Sequence, residues 1–161
     1  MQKFRNFEQS EILTAWSEAV LAEYSAEGAR FLAGQKDRFL NPVGFVLNDG
    51  LAKIVEFVLS GNSDVSLDEA LEDILRIRAV QNFEPSAAMK FLVDLKKVLR
   101  QKFDAPQRQN GDLASFQTIE DRIDSLLLIA FDIYSRHREK ISEIRIQELK
   151  RQMTPFYQRE C

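Results

Sequence analysis

From Asp112 to Met153 the chain contains neither proline nor glycine, so nothing in that stretch stops a helix from propagating. Leu113, Phe116, Ile119, Ile123, Leu126, Leu127, Ala130, Phe131 and Tyr134 recur at helical spacing, and Ile141, Ile144 and Leu149 follow. Unbroken, those residues make a helix of roughly 60 Å at 1.5 Å per residue. A compact chain of 161 residues has a radius of gyration of only about 15 Å. The helix must therefore bend or project. Its composition changes at Tyr134. Before that point it is apolar enough for a core; from Ser135-Arg136-His137-Arg138 onward it is mostly charged. The expected division is a helical core over 1–134 and, over 135–161, a charged continuation of the last helix with a loose C-terminus. The thin apolar line Tyr134, Ile141, Ile144 and Leu149 fits a helix–helix seam, against a second copy or the domain's own flank. Thr154-Pro155 marks the expected end of the helix.

The rest of the chain also carries helical periods. A first helix is expected from about Glu8 to Tyr24, with Ile12, Trp16 and Val20 inward. Phe31, Leu32, Phe39 and Leu40 suggest a short second helix. Asn41-Pro42 opens a third, with Asn41 as cap and Pro42 in its first turn, and Gly61 closes it. Gly50, inside that helix, marks a close helix crossing or, more rarely, the approach of a ligand. Ser66 and Glu69 have the spacing of a capping box for a fourth helix, along which Glu72 can pair with Arg76. A fifth helix begins at Pro85, capped by Asn82 or Glu84. It carries Ala88, Phe91, Leu92, Leu95, Val98, Leu99 and Phe103 inward, with Lys90, Asp94, Lys97 and Gln101 on the other side. Asp104 to Gly111 is the clearest loop, after which Asp112 caps the long helix. No strand alternation persists. The fold class is all-α, about six helices in a globin-like or bundle arrangement, ending in a long C-terminal helix.

Several kinds of chemistry are excluded. A net charge of −3 does not suit a general nucleic-acid binder. The longest apolar run, Leu126 to Phe131, is far too short to span a bilayer, and the N-terminus has no apolar signal region. The single cysteine, Cys161, cannot form an intramolecular disulfide, which suits a reducing, cytoplasmic setting. One histidine and one cysteine cannot furnish the common zinc or di-iron sites. His137 sits among Arg136, Arg138, Glu139 and Lys140, which favours solvent or the seam over a haem pocket; a pH-responsive role stays open. There is no nucleophile elbow and no phosphate loop. The expectation is a protein that is not an enzyme, with no catalytic residues, cofactor or metal. The twelve phenylalanines fit tight helix packing, or a cavity for a small molecule. Arg76 and Arg78 stand among apolar residues at the end of the fourth helix. One should point outward and the other along the rim of the apolar stripe, making a salt bridge or meeting an acidic ligand.

The phrase Ile74-Leu75-Arg76-Ile77-Arg78-Ala79-Val80-Gln81-Asn82-Phe83-Glu84-Pro85-Ser86, with Asn41-Pro42-Val43-Gly44 and Leu67-Asp68-Glu69, resembles the N-terminal sensory domain of RsbT co-antagonist proteins of the RsbR-D type. The likeness is clearest from Ile12 to Phe103. It implies a helical, globin-related domain without haem that dimerises and serves as an input module in bacterial stress signalling. In such proteins the last helix passes the signal to an attached output domain. Here the chain ends at Cys161, so the expectation is a sensor domain signalling through protein contacts without an attached output domain, as a homodimer or with a signalling partner. Other expectations compatible with the residues are a small-molecule or cofactor-binding helical protein and an accessory subunit of a larger complex.

Overall fold

The computed structural model describes residues 2–34, 37–62, 64–103 and 113–157. Among them are six helices and no strand. Helix α1 (Gln2–Leu21) buries Ile12, Trp16 and Val20. It starts ahead of its apolar stripe, since no proline or glycine precedes Glu8. It also ends before Tyr24, which lies in the following turn. Helix α2 (Ala26–Gly34) buries Leu32. Phe39 and Leu40, expected in that helix, lie in a turn, with Phe39 92% exposed. The cause is Asp37, whose Oδ1 accepts from the Phe39 N–H at 2.8 Å and favours a turn over a helix.

Asn41 caps α3 (Pro42–Ser60), its Oδ1 accepting from the Gly44 N–H at 2.8 Å. Its Nδ2 donates to the Leu32 and Phe31 carbonyls of α2 at 3.1 and 3.2 Å. One buried side chain therefore ties the end of α2 to the start of α3. Gly44 makes this possible: a Cβ there would lie 2.1 Å from Asn41 Nδ2. Gly61, at φ 78°, closes the helix as expected. The α4 cap differs from expectation. Helix α4 (Val65–Val80) is capped by Asp64, not Ser66. The carboxylate accepts from the Ser66 and Leu67 N–H groups at 2.9 and 3.2 Å, and the Ser66 hydroxyl also donates to it. A carboxylate at a helix N-terminus adds charge–dipole attraction to the hydrogen bonds, so it outcompetes a hydroxyl. Glu72 does not pair with Arg76, which takes Asp73 at 2.6 Å.

Helix α5 (Pro85–Lys102) buries the expected stripe, Ala88, Phe91, Leu92, Leu95, Val98 and Leu99. Asp94 departs from expectation: it is buried, with Lys90 and Lys97 beside its carboxylate. Helix α6 (Leu113–Tyr157) is 45 residues long, about 68 Å at 1.5 Å per residue. It runs through Thr154-Pro155 instead of stopping there; proline loses one N–H but its fixed φ is helical. The Asp104–Gly111 loop, the Asp112 cap, the Leu113 side chain and residues 158–161 of the expected loose C-terminus lie outside the described residues.

Helices α3 and α4 cross closely at Gly50, where a Cβ would come 2.7 Å from Ile74 Cδ1. Helix α1 packs on α5 and α3, and α6 on α4 and α5. Lys96–Asp124 at 2.7 Å and Arg100–Glu120 at 2.6 Å pin α5 to the first half of α6. Arg122 of α6 donates to the Val58 carbonyl at 2.8 Å. Beyond Ile141, half-buried against the core, every side chain from 142 to 153 is exposed, so α6 projects.

Candidate functional site

The last turns of α4 place Arg78 seven residues after Leu71, four after Ile74 and three after Leu75, all buried. That spacing puts the arginine on the core face. Its side chain is 0% exposed, deeper than the rim position expected from sequence. The guanidinium lies between two aromatic rings, 4.9 Å from the Phe83 centroid and 4.8 Å from that of Phe91. Such placement lets ring quadrupoles replace part of the lost hydration. Nη1 donates to Glu23 Oε2 at 2.8 Å and to the Ala87 carbonyl at 3.0 Å. Nε and Nη2 have no hydrogen-bond acceptor, and Glu23 Oε1 has no hydrogen-bond donor: Lys90 Nζ stands 3.8 Å away, beyond hydrogen-bond length.

The turn after α4 fixes this geometry. The Phe83 N–H donates to the Arg78 carbonyl at 3.1 Å and the Asn82 N–H to the Ala79 carbonyl at 3.1 Å. These two bonds form a Schellman closure with Asn82 in the left-handed position, φ 59°. Asn82 therefore ends α4 and does not cap α5. Glu84 occupies the α5 cap position without a side-chain hydrogen bond.

Two other helices hold the same corner. From the turn after α1, the Tyr24 hydroxyl is 3.1 Å from Gln81 Oε1, and its ring lies 5.9 Å from that of Phe83. Burial pushes the Tyr24 phenol above its ordinary pKa, with the Arg78 charge opposing. Trp16 stacks on Phe91 at 6.0 Å and donates its indole N–H to the Phe91 carbonyl at 2.6 Å. From α6, the Tyr134 hydroxyl donates to the Phe83 carbonyl, and burial raises that phenol too. Arg138 donates to Asn82 Oδ1 at 2.5 Å and to the Ala79 carbonyl at 3.4 Å.

Of the residues singled out from sequence, Arg78 and Tyr134 thus meet around Phe83. Tyr134, placed on the expected seam, is 1% exposed and packs on the domain's own corner, where its hydroxyl donates to the Phe83 carbonyl. Arg76 is exposed on the other side of α4. Ile141 packs against the core, while Ile144 and Leu149 are exposed on α6. His137 lies at the α4–α6 contact, its Nε2 2.7 Å from Glu72 Oε1 but outside hydrogen-bond alignment. Sequence reasoning missed Glu23, Phe83 and Arg138 as parts of this corner, and read Asn82 as a candidate cap of α5. Glu23 left a signal: it follows Trp16 by seven residues and Val20 by three, a carboxylate on an apolar stripe.

Chemically the corner is a closed cation box filled by the chain's own arginine. Phe83 and Phe91 enclose Arg78, not a foreign ligand. Open grooves lie elsewhere. One of about 360 Å³ between α3 and α4 is lined by Arg38, Phe45, Lys53, Glu69 and Asp73. Another of about 610 Å³ between α1 and α3 is lined by Leu13, Leu21, Ala33 and Phe45. Among the described residues no group of three or more His, Cys, Asp or Glu side chains is placed to hold a metal ion.

Residues 10–149 match the family model of the RsbT co-antagonist protein rsbRD N-terminal domain. The chain belongs to this family. The match includes the whole α4–α5 corner and follows α6 past the core to Leu149. RsbRD N-terminal domains are Rsb-type signalling sensor domains, a regulatory family. An uncharacterized protein of Archaeoglobus fulgidus is 30% identical over 105 residues, covering 63% of this chain and 66% of that protein. The match thus spans just under two thirds of that relative's length. No solved structure matches the chain. Among the described residues no helix is long and apolar enough to cross a membrane.

Proposed function

We propose that the chain is a non-enzymatic regulatory sensor domain of the cytoplasm that acts through protein contacts, as a homodimer joined along α6. Family membership supports the regulatory role. The observation that carries the contact surface is the outward face of α6. Leu128, Phe131, Ile146, Leu149 and Met153 are all exposed. With Ser135 and Ser142, also exposed, they fall along one side of the helix at intervals of three or four residues, save the seven between the serines, where the exposed Glu139 takes the intervening position. The stripe is about 38 Å long at 1.5 Å per residue. Two serines at its middle let a second helix approach closely. Leu149, of the sequence-derived seam, belongs to this stripe, whereas Ile144 lies on a different side of α6.

Self-association of two such stripes buries apolar surface that a monomer leaves in water. Size-exclusion chromatography with light scattering tests this. A dimer is expected at micromolar concentration, and Ile146→Asp combined with Leu149→Asp should yield a monomer with unchanged helical circular dichroism. A wild-type chain that stays monomeric at high micromolar concentration would overturn the homodimer.

A further inference from the structure

We infer that the α4–α5 corner is the joint through which the end of α1 governs how firmly α6 is held where it leaves the core. The corner is contacted from two sides, by the chain just past α1 and by α6. Helix α1 rests on α5 and α3, and α6 on α4 and α5. At the corner both reach the same short segment. Glu23 and Tyr24 bind Arg78 and Gln81. Tyr134 and Arg138 bind Phe83, Asn82 and Ala79.

Phe83 is common to both sides. Its ring lies against Tyr24 and against the Arg78 guanidinium, while its carbonyl receives the Tyr134 hydroxyl. The contacts of α6 and of the chain past α1 therefore converge on one residue, and a displacement of its backbone disturbs both. The segment's conformation also depends on its neighbours. Asn82 is the only non-glycine among the described residues at positive φ, a conformation that the Arg138 bond and the Schellman bonds hold in place. Arg78 keeps two buried N–H-bearing nitrogens without acceptors, so its present arrangement does not satisfy all its donors. The Tyr134–Arg138 contacts fall at the exit of α6, one turn before the side chains become fully exposed at 142. The α5–α6 and α3–α6 polar ties sit far back, at Glu120, Arg122 and Asp124. They leave the exit to the corner and to Glu72 of α4, which faces Arg136 and His137.

Native-state hydrogen exchange read by mass spectrometry tests the joint. Tyr24→Phe removes one hydroxyl and keeps the ring. It should speed exchange across residues 136–142 about threefold or more, while residues 92–99 in the core keep wild-type protection. Linkage requires the reverse effect, so Arg138→Gln should speed exchange at residues 20–25. Wild-type protection at 136–142 in the first variant, together with wild-type protection at 20–25 in the second, would overturn the proposal. So would a uniform acceleration that includes 92–99, which reports global destabilisation and not a directed connection. These readouts do not depend on the oligomeric state proposed for the α6 stripe, provided both variants are compared with wild type at the same association state.

Discussion

Arg78 is a charge that folding takes wholly out of water, and the interactions around it are unequal in consequence. Breaking a buried pair by removing one partner strands the other and costs about 3–5 kcal/mol, whereas replacing both with apolar or neutral groups of similar size is far cheaper. Glu23→Gln should therefore lose stability in that range by urea denaturation. Adding Arg78→Met to it should restore a substantial part. A double variant no more stable than Glu23→Gln alone would show that the pair's charge is not what the site depends on. Gly44 offers a second test at this scale. Its Cβ would strike Asn41 Nδ2 at 2.1 Å and the Leu32 carbonyl at 2.7 Å, the latter backbone that cannot swing aside. Gly44→Ala should cost about 2–3 kcal/mol by the same measurement, despite alanine's better helix propensity, as overpacking does elsewhere.

At the scale of elements, the helix boundaries follow local chemistry that short-range rules read well in some places and misassign in others. Asn41-Pro42 and Gly61 bracket α3 as their residue types dictate. The α4 start was displaced because two capping residues compete within three positions, and the charged one wins. The hydrogen bonds to Asp64 from Ser66 and Leu67 hold its carboxyl below the usual carboxylate range. A depressed carboxyl pKa contributes stability that is present above the unfolded value and lost as pH falls through the folded one. Asp64→Asn should therefore flatten the fall in melting temperature between about pH 5 and pH 2, leaving the rest of the curve alone; an unchanged acid limb would exclude that role. Asp94 shows the opposite difficulty. Its position was legible, yet its burial depends on which neighbouring lysines fold over it.

For the whole molecule, the two corner tyrosines set a limit at high pH. Burial raises both phenols, so the native state holds their protons more tightly than the unfolded chain does. The stability this confers is complete below the ordinary phenol pKa of about 10 and is lost as pH rises through the folded values. Circular dichroism from pH 8 to 12 should show alkaline unfolding that begins above pH 10. It should be shallower in the Tyr24→Phe and Tyr134→Phe variants; an identical alkaline limb in both would place the destabilising titration elsewhere.

The helical architecture and the length of α6 were written in the sequence, because helical periodicity, capping residues and the absence of breakers are local properties. So was the stripe of α5, and so was the distinctive phrase running into Pro85. The fate of Arg78 was not. Its spacing put it on the core face, but a lone arginine there belongs at the rim unless a counter-charge and two aromatic faces arrive from elsewhere. Those come from Glu23, 55 residues earlier, and from Phe83 and Phe91 across the turn. Tyr134 likewise fitted a seam by its period alone, but its partner, a carbonyl 51 residues away, was not legible there. Local sequence specifies which faces are apolar; only the tertiary structure brings distant polar groups together, and that decides which charged and hydroxyl-bearing side chains can be buried.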